Sequence, residues 1–119
     1  MHARKTGALI RAAACAGAVM GGGADIQVDA IDRAASEFGL AFQIVDDVLD
    51  VEGASAELGK TAGKDVAAGK PTYPALYGLE VSKQMARECL ERATGILSSV
   101  NLADSRLVEI GSWIVNRTR

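Results

Sequence analysis

Between residues 28 and 49 the apolar side chains Val28, Ile31, Ala35, Phe38, Phe42, Val45 and Leu49 recur at alternating spacings of three and four. Only a helix gathers residues so spaced onto one face. A helix of this length is stable in water only when that face is covered by other elements. A second row, Asp32, Ser36, Gly39, Gln43, Asp46 and Asp50, follows the same rhythm one residue later. The spacing therefore predicts one long helix over 25–52, with a polar row beside its buried seam.

The flanking segments extend the helical pattern. Residues 6–20 form a small-residue helix that Gly21-Gly22-Gly23 terminates. This stretch superficially resembles a secretory leader, with basic residues before an apolar run, but Arg11 interrupts it. Residues 53–72 carry Gly53, Gly59, Gly63, Gly69 and Pro71 among Lys60, Lys64 and Lys70, and read as a long loop. Thr72 is a fitting N-cap for a following helix, and Pro74 is tolerated in its first turn. Ala86, Leu90, Ala93, Leu97 and Val100 mark the apolar face of that helix. After a turn over 101–104, with Asp104 as candidate cap, Ala103, Leu107, Ile110 and Ile114 mark a last helix. Arg117 and Arg119 lie at its C-terminal end, where the helix dipole favours cations.

Composition narrows the function. A chain of 119 residues makes one domain, and its hydrophobic content of 49% is enough for a core. Aromatics at 4% disfavour a β-sandwich and a base-stacking surface, and 13 basic against 15 acidic residues give no field for a nucleic-acid backbone. No nucleic-acid partner is expected. Nor is stable membrane insertion, since no apolar stretch has the length of a span. His2 is the sole histidine, which leaves nothing for a His-based triad or zinc site. Cys15 and Cys89 are isolated, so a disulfide framework is not expected and a reducing, cytoplasmic location is the default.

Asp46-Asp47-Val48-Leu49-Asp50 carries the chemistry. On a helix Asp47 lies about 100° and Asp50 about 40° around the axis from Asp46, so the three carboxylates share one face. Like charges so close repel unless a cation intervenes. Clustered carboxylate oxygens suit magnesium, which is commonly shared with substrate phosphates. Lysines at 60, 64 and 70 follow the acids and could face a metal–phosphate complex from the other side. The plainer alternative is a solvated acidic face followed by a soluble basic loop, with Asp65 partly neutralising the lysines. Two familiar motifs are excluded. Gly59-Lys60-Thr61 looks like the end of a phosphate-binding loop, but Ala54 stands where that motif needs glycine and a helix precedes it instead of a strand. The acids also lack the alternating spacing of a calcium-binding EF-hand loop.

Lys5-Thr6-Gly7, then Gly39 through Gln43-Ile44-Val45-Asp46-Asp47-Val48-Leu49-Asp50, then Leu58-Gly59-Lys60 and Gly69-Lys70-Pro71-Thr72-Tyr73-Pro74, closely resembles the trans-isoprenyl diphosphate synthases, the polyprenyl synthetase family. The resemblance spans most of the chain. It implies an all-α antiparallel helical bundle, a partial isoprenoid-synthase fold. Residues 1–119 would be the C-terminal part of a single synthase domain, a truncated product or partial sequence lacking the family's earlier aspartate-rich motif.

The implied reaction joins an allylic diphosphate to the homoallylic isopentenyl diphosphate by ionisation, condensation and elimination, with Mg2+ as cofactor. Carried over by position, Asp46 is a direct metal ligand, and Asp47 and Asp50 complete the set in part through metal-bound water. Lys5 and Lys60 contact the allylic diphosphate. Thr6 and Gln43 orient dipoles toward the developing cation. Lys64 and Lys70 stand outside that set. Left without half of the metal clamp, the chain alone is expected to be inactive. Its uncovered apolar seam implies a homo-oligomer or association with a full-length synthase. Alternative readings are a non-catalytic partner subunit, which would not need the three acids, and a terpene cyclase, which the lysine loop and Lys5-Thr6 disfavour.

Overall fold

The structure, a computed structural model, describes residues 2–56 and 71–118. They form α1 (His2–Met20), α2 (Asp25–Ala56), α3 (Tyr73–Tyr77), α4 (Leu79–Ser98) and α5 (Arg106–Asn116), with no strand among the described residues. The all-α expectation therefore holds.

Cross-helix partners fix the directions. Arg11 meets Asp32 while Gly7 lies under Gly39, so α1 and α2 are antiparallel. Glu37 pairs with Arg92 and Glu52 with Lys83, so α2 and α4 are antiparallel too. Phe38 meets Gly111 and Phe42 meets Arg117, which makes α5 run parallel to α2 and antiparallel to α4. The long helix α2 is thus the shared spine. Its predicted seam is buried at Ile31, Ala35, Phe38, Val45 and Leu49, and half-buried at Val28 and Phe42. Ala30, Ala34, Ala41, Ile44 and Val48 are buried as well, so the seam is wider than the spacing predicted. The cause is coverage from two sides, by α1 and by α4. Each fully buried large side chain, Ile44 or Leu97 for example, contributes about 1.5–3 kcal/mol.

Two helix ends share one left-handed turn. Gly23 N–H donates to Ala18 O at 2.9 Å and Gly22 N–H to Val19 O at 3.0 Å, with Gly22 at φ 80°. The predicted glycine stop is therefore a Schellman turn. Asn101, at φ 63°, repeats it: Leu102 N–H reaches Leu97 O at 2.8 Å and Asn101 N–H reaches Ser98 O at 3.1 Å. Thr72 caps as expected, its Oγ1 accepting from Ala75 N–H at 3.2 Å.

Several boundaries differ from expectation. Helix α1 begins at His2, one turn earlier. Helix α2 continues through Gly53 to Ala56 instead of stopping at 52. One glycine costs a helix about 1 kcal/mol, which a 32-residue cooperative helix tolerates. The helix expected after Thr72 is split at Gly78, whose φ of 86° ends α3, before α4 starts. Ser105, not Asp104, is the N-cap of α5, and its side chain makes no capping bond. Ile110, expected in the core, is 52% exposed because α5 meets α2 through Gly111 and Ile114 instead. The rest of the predicted loop, and Arg119, lie outside the described residues.

Candidate functional site

The predicted carboxylates lie on the half-buried flank of α2. Asp46, Asp47 and Asp50 are each intermediate in exposure, while Val45, Val48 and Leu49 beside them are buried. Helical spacing alone accounts for this: the acids follow the polar row at the border of the core.

Asp47 accepts two hydrogen bonds. Its Oδ1 accepts from Gln43 Nε2 at 2.9 Å, one turn earlier on the same helix. Its Oδ2 accepts the backbone N–H of Tyr73 at 3.1 Å. Tyr73 is the first residue of α3, so its N–H has no partner inside that helix and an anionic acceptor suits it. Asp46 and Asp50, one turn apart, are not without partners in the chain.

A cleft of about 430 Å³ between α1 and α2 adjoins this cluster. Its walls include Gly7 and Arg11 of α1, Ser36, Gly39 and Gln43 of α2, and Tyr73 of α3. Gln43 therefore faces the cleft and holds Asp47 at once. Close approach at Gly39 shapes one wall, since a Cβ there would lie 3.1 Å from Gly7 Cα. Arg11 is held in a fork by Asp32, at 2.9 Å from Nε and 3.0 Å from Nη2. That pair lowers the carboxyl pKa of Asp32 and raises that of Arg11. Burial, and then the charge of Asp47, push the Tyr73 hydroxyl up.

The remaining expected residues are spread out. Thr6 is half-buried and Lys5 exposed on α1, immediately before the Gly7 wall, and neither lines the cleft. Lys60, with Lys64 and Lys70, lies outside the described residues. Sequence reasoning missed Arg11, Ser36 and Tyr73. Ser36 was legible as a member of the polar row, whereas Tyr73 enters through its backbone N–H, which no sequence motif displays.

Among the described residues no three acidic, histidine or cysteine side chains form a ready-made metal cage. Magnesium does not require one, because it keeps several waters and takes one or two carboxylates together with substrate phosphates. Asp46 and Asp50 are hard oxygen donors of the type it takes, and the donor set fits it. No described helix is long and apolar enough to cross a membrane. Cys15 and Cys89 are both free thiols.

The polyprenyl synthetase family model matches residues 1–105. Geranylgeranyl pyrophosphate synthase 10, mitochondrial, of Arabidopsis thaliana is 48% identical over 118 residues, covering 98% of this chain and 34% of that protein. Geranylfarnesyl diphosphate synthase, chloroplastic, of Leucosceptrum canum is 50% identical over 99 residues, 80% of this chain and 27% of that protein. Heterodimeric geranylgeranyl pyrophosphate synthase large subunit 2 of Arabidopsis thaliana is 44% identical over 122 residues, 100% of this chain and 32% of that protein. The chain spans about a third of the length of these curated relatives.

Proposed function

The chain belongs to the polyprenyl synthetase family, and from that premise we propose that it supplies the second metal-binding wall of a prenyltransferase, the C-terminal part of its domain. The substrates are an allylic diphosphate and the homoallylic isopentenyl diphosphate. The observation that carries the reading is Gln43, which borders the cleft and fixes Asp47 beside Asp46 and Asp50.

In this reading Asp46 and Asp50 hold Mg2+. Asp47, already accepting two hydrogen bonds, contributes through metal-bound water with its remaining lone pairs. The metal, when bound, neutralises charge on the departing diphosphate. Lys5 and Lys60 grip that diphosphate as point charges. The Thr6 hydroxyl and Gln43 amide turn their oxygens toward the allylic cation. Ala8 and Leu40, the apolar part of the cleft lining, help to keep water from capturing it.

Alone, the chain lacks the opposite wall and is inactive. It works within a longer polypeptide, as a homo-oligomer, or beside a full-length synthase. The partner-subunit reading draws support from the relative named as a heterodimeric large subunit. The two unpaired cysteines favour a reducing compartment, and we place the chain in the cytoplasm. Two of the relatives are named for the mitochondrion and the chloroplast, and a fluorescent fusion decides between these compartments.

The experiment is a graft. This chain replaces the matching third of the mitochondrial Arabidopsis relative, and transfer of radiolabelled isopentenyl diphosphate is measured with and without Mg2+. An active graft that loses at least a hundredfold with Asp46→Ala supports the proposal. A folded graft without activity, or one indifferent to Asp46→Ala, overturns it.

A further inference from the structure

The cleft just described is not the molecule's only polar recess. A second cavity, about 240 Å³, opens between α2, α4 and the end of α5, on a different flank of α2 from the three aspartates. Its polar lining is Glu52, Lys83, Arg87, Asn116, Arg117 and Thr118, above an apolar floor that includes Val48. Three cations thus share a small recess with one carboxylate. That carboxylate is engaged, since Glu52 accepts from Lys83 Nζ at 2.7 Å.

The two arginines are under-compensated. Among the described residues no carboxylate pairs with either. Arg87 donates from Nε and Nη2 to the neutral amide oxygen of Gln84, at 3.2 and 2.8 Å. Arg117 lies 4.4 Å over the Phe42 ring and donates from Nη2 to Phe42 O at 3.3 Å. Its Nε is buried and meets no acceptor. A buried guanidinium N–H without an acceptor is rare and unfavourable, and an anionic oxygen is its natural partner. Stacking on Phe42 holds the planar group in place beforehand, which lowers the entropy lost on capturing an anion.

We propose that this recess is a second anion site, built by Lys83, Arg87 and Arg117, for a phosphate or diphosphate group, free or carrying a short apolar substituent. The cations and the Arg117 Nε donor select the oxyanion. The apolar floor leaves room for a small hydrocarbon group beside it. The proposal does not depend on the prenyl-transfer reading, and Arg117 lies beyond the residues that the family model matches.

The test follows the arginine Nε–H resonances of the 119-residue chain by NMR, in EDTA so that no metal bridges the anion elsewhere. Inorganic phosphate, pyrophosphate and butyl phosphate are titrated in turn. The expected result is a saturable shift of the Arg117 Nε–H signal. Tighter binding of butyl phosphate than of phosphate would identify the source as an organic ester, and the reverse as a free ion. Arg87→Gln weakens binding about tenfold or more, and Glu52→Gln strengthens it. Arg117→Lys keeps a cation yet removes the planar donor, and also weakens binding about tenfold. Should Arg117→Lys fail to fold, Arg87→Gln and Glu52→Gln decide. No saturable shift below about 10 mM overturns the proposal, as does binding that vanishes in Arg11→Gln, which would put the anion at the first cleft.

Discussion

Asp47 and Tyr73, 26 positions apart in sequence, are joined by a single hydrogen bond of 3.1 Å from the Tyr73 backbone N–H to the carboxylate. The same carboxylate accepts from Gln43 at 2.9 Å. One acidic side chain therefore anchors the start of α3 onto α2 and sets the amide that borders the cleft.

This double engagement gives Asp47 a mutational test of its own. Asp47→Ala leaves a half-buried N–H and an amide without their acceptor, at a cost of about 1–3 kcal/mol. Asp47→Asn keeps one acceptor oxygen and costs about 0.5–1.5 kcal/mol. Urea unfolding of the three proteins gives the order directly, and equal midpoints for Asp47→Ala and the parent chain would contradict it.

Two glycines make an opposed pair. A Cβ at Gly111 would stand 2.3 Å from Cε1 of Phe38, a ring only 2% exposed with nowhere to move. Gly111→Ala is expected to destabilise by about 1–3 kcal/mol through overpacking. Gly95, inside α4, has nothing within 4 Å of the same atom. Gly95→Ala is expected to stabilise by about 0.5–1 kcal/mol, since alanine loses less backbone freedom in a helix. Thermal melts of both variants should move in opposite directions from the parent.

The contrast shows what was legible in the sequence. Apolar spacing from Val28 to Leu49 announced α2 and its orientation, and Gly21-Gly22-Gly23 announced the stop of α1. Those signals are local and periodic. The width of the buried face was not legible, because Ala34, Ala41 and Ile44 are buried only once other helices pack on α2. Gly78 looked like any other glycine until its φ of 86° showed a break. At the site, residue types disclosed the acids and Gln43. The role of Tyr73 rests on a main-chain donor that every residue but proline possesses. Arg117, expected only as a helix-end cation, stacks on the ring of Phe42 and donates to its carbonyl, with Nε left over.

Acid should loosen the contact between α1 and α2. The hydrogen bonds from Arg11 hold the Asp32 carboxyl below its ordinary pKa, outweighing desolvation. A depressed carboxyl contributes stability that is complete above the unfolded value, near 4, and is lost as pH falls through the folded value. Stability of the parent chain should therefore fall more steeply below about pH 4 than that of Asp32→Asn. The pair is exposed, so 1 M salt should shrink the difference. Circular dichroism melts at stepped pH in low and high salt provide the comparison; parallel curves for both proteins would rule the effect out.

Cys89 should behave as a sheltered thiol. It is buried on α4, and burial first, then the charge of Glu37, push its pKa from 9.0 up to about 11. At pH 8 its thiolate fraction is about a hundredfold below that of an ordinary cysteine, and the thiolate is the reactive form. Alkylation of the native chain at pH 8 should thus modify Cys89 at least about a hundredfold more slowly than in the unfolded chain. The same shift has a stability consequence of definite sign. A raised pKa means that stability is complete below the unfolded value and declines as pH rises from about 9 through about 11, where only the unfolded chain readily ionises. Cys89→Ala removes that group, so its stability should vary less over this range, even though the small cavity lowers it at every pH. Mass spectrometry of timed alkylation and urea midpoints between pH 8 and 11 measure the two effects. Rapid labelling of Cys89 in the folded chain would show that the packing of α4 against α2 does not shield it.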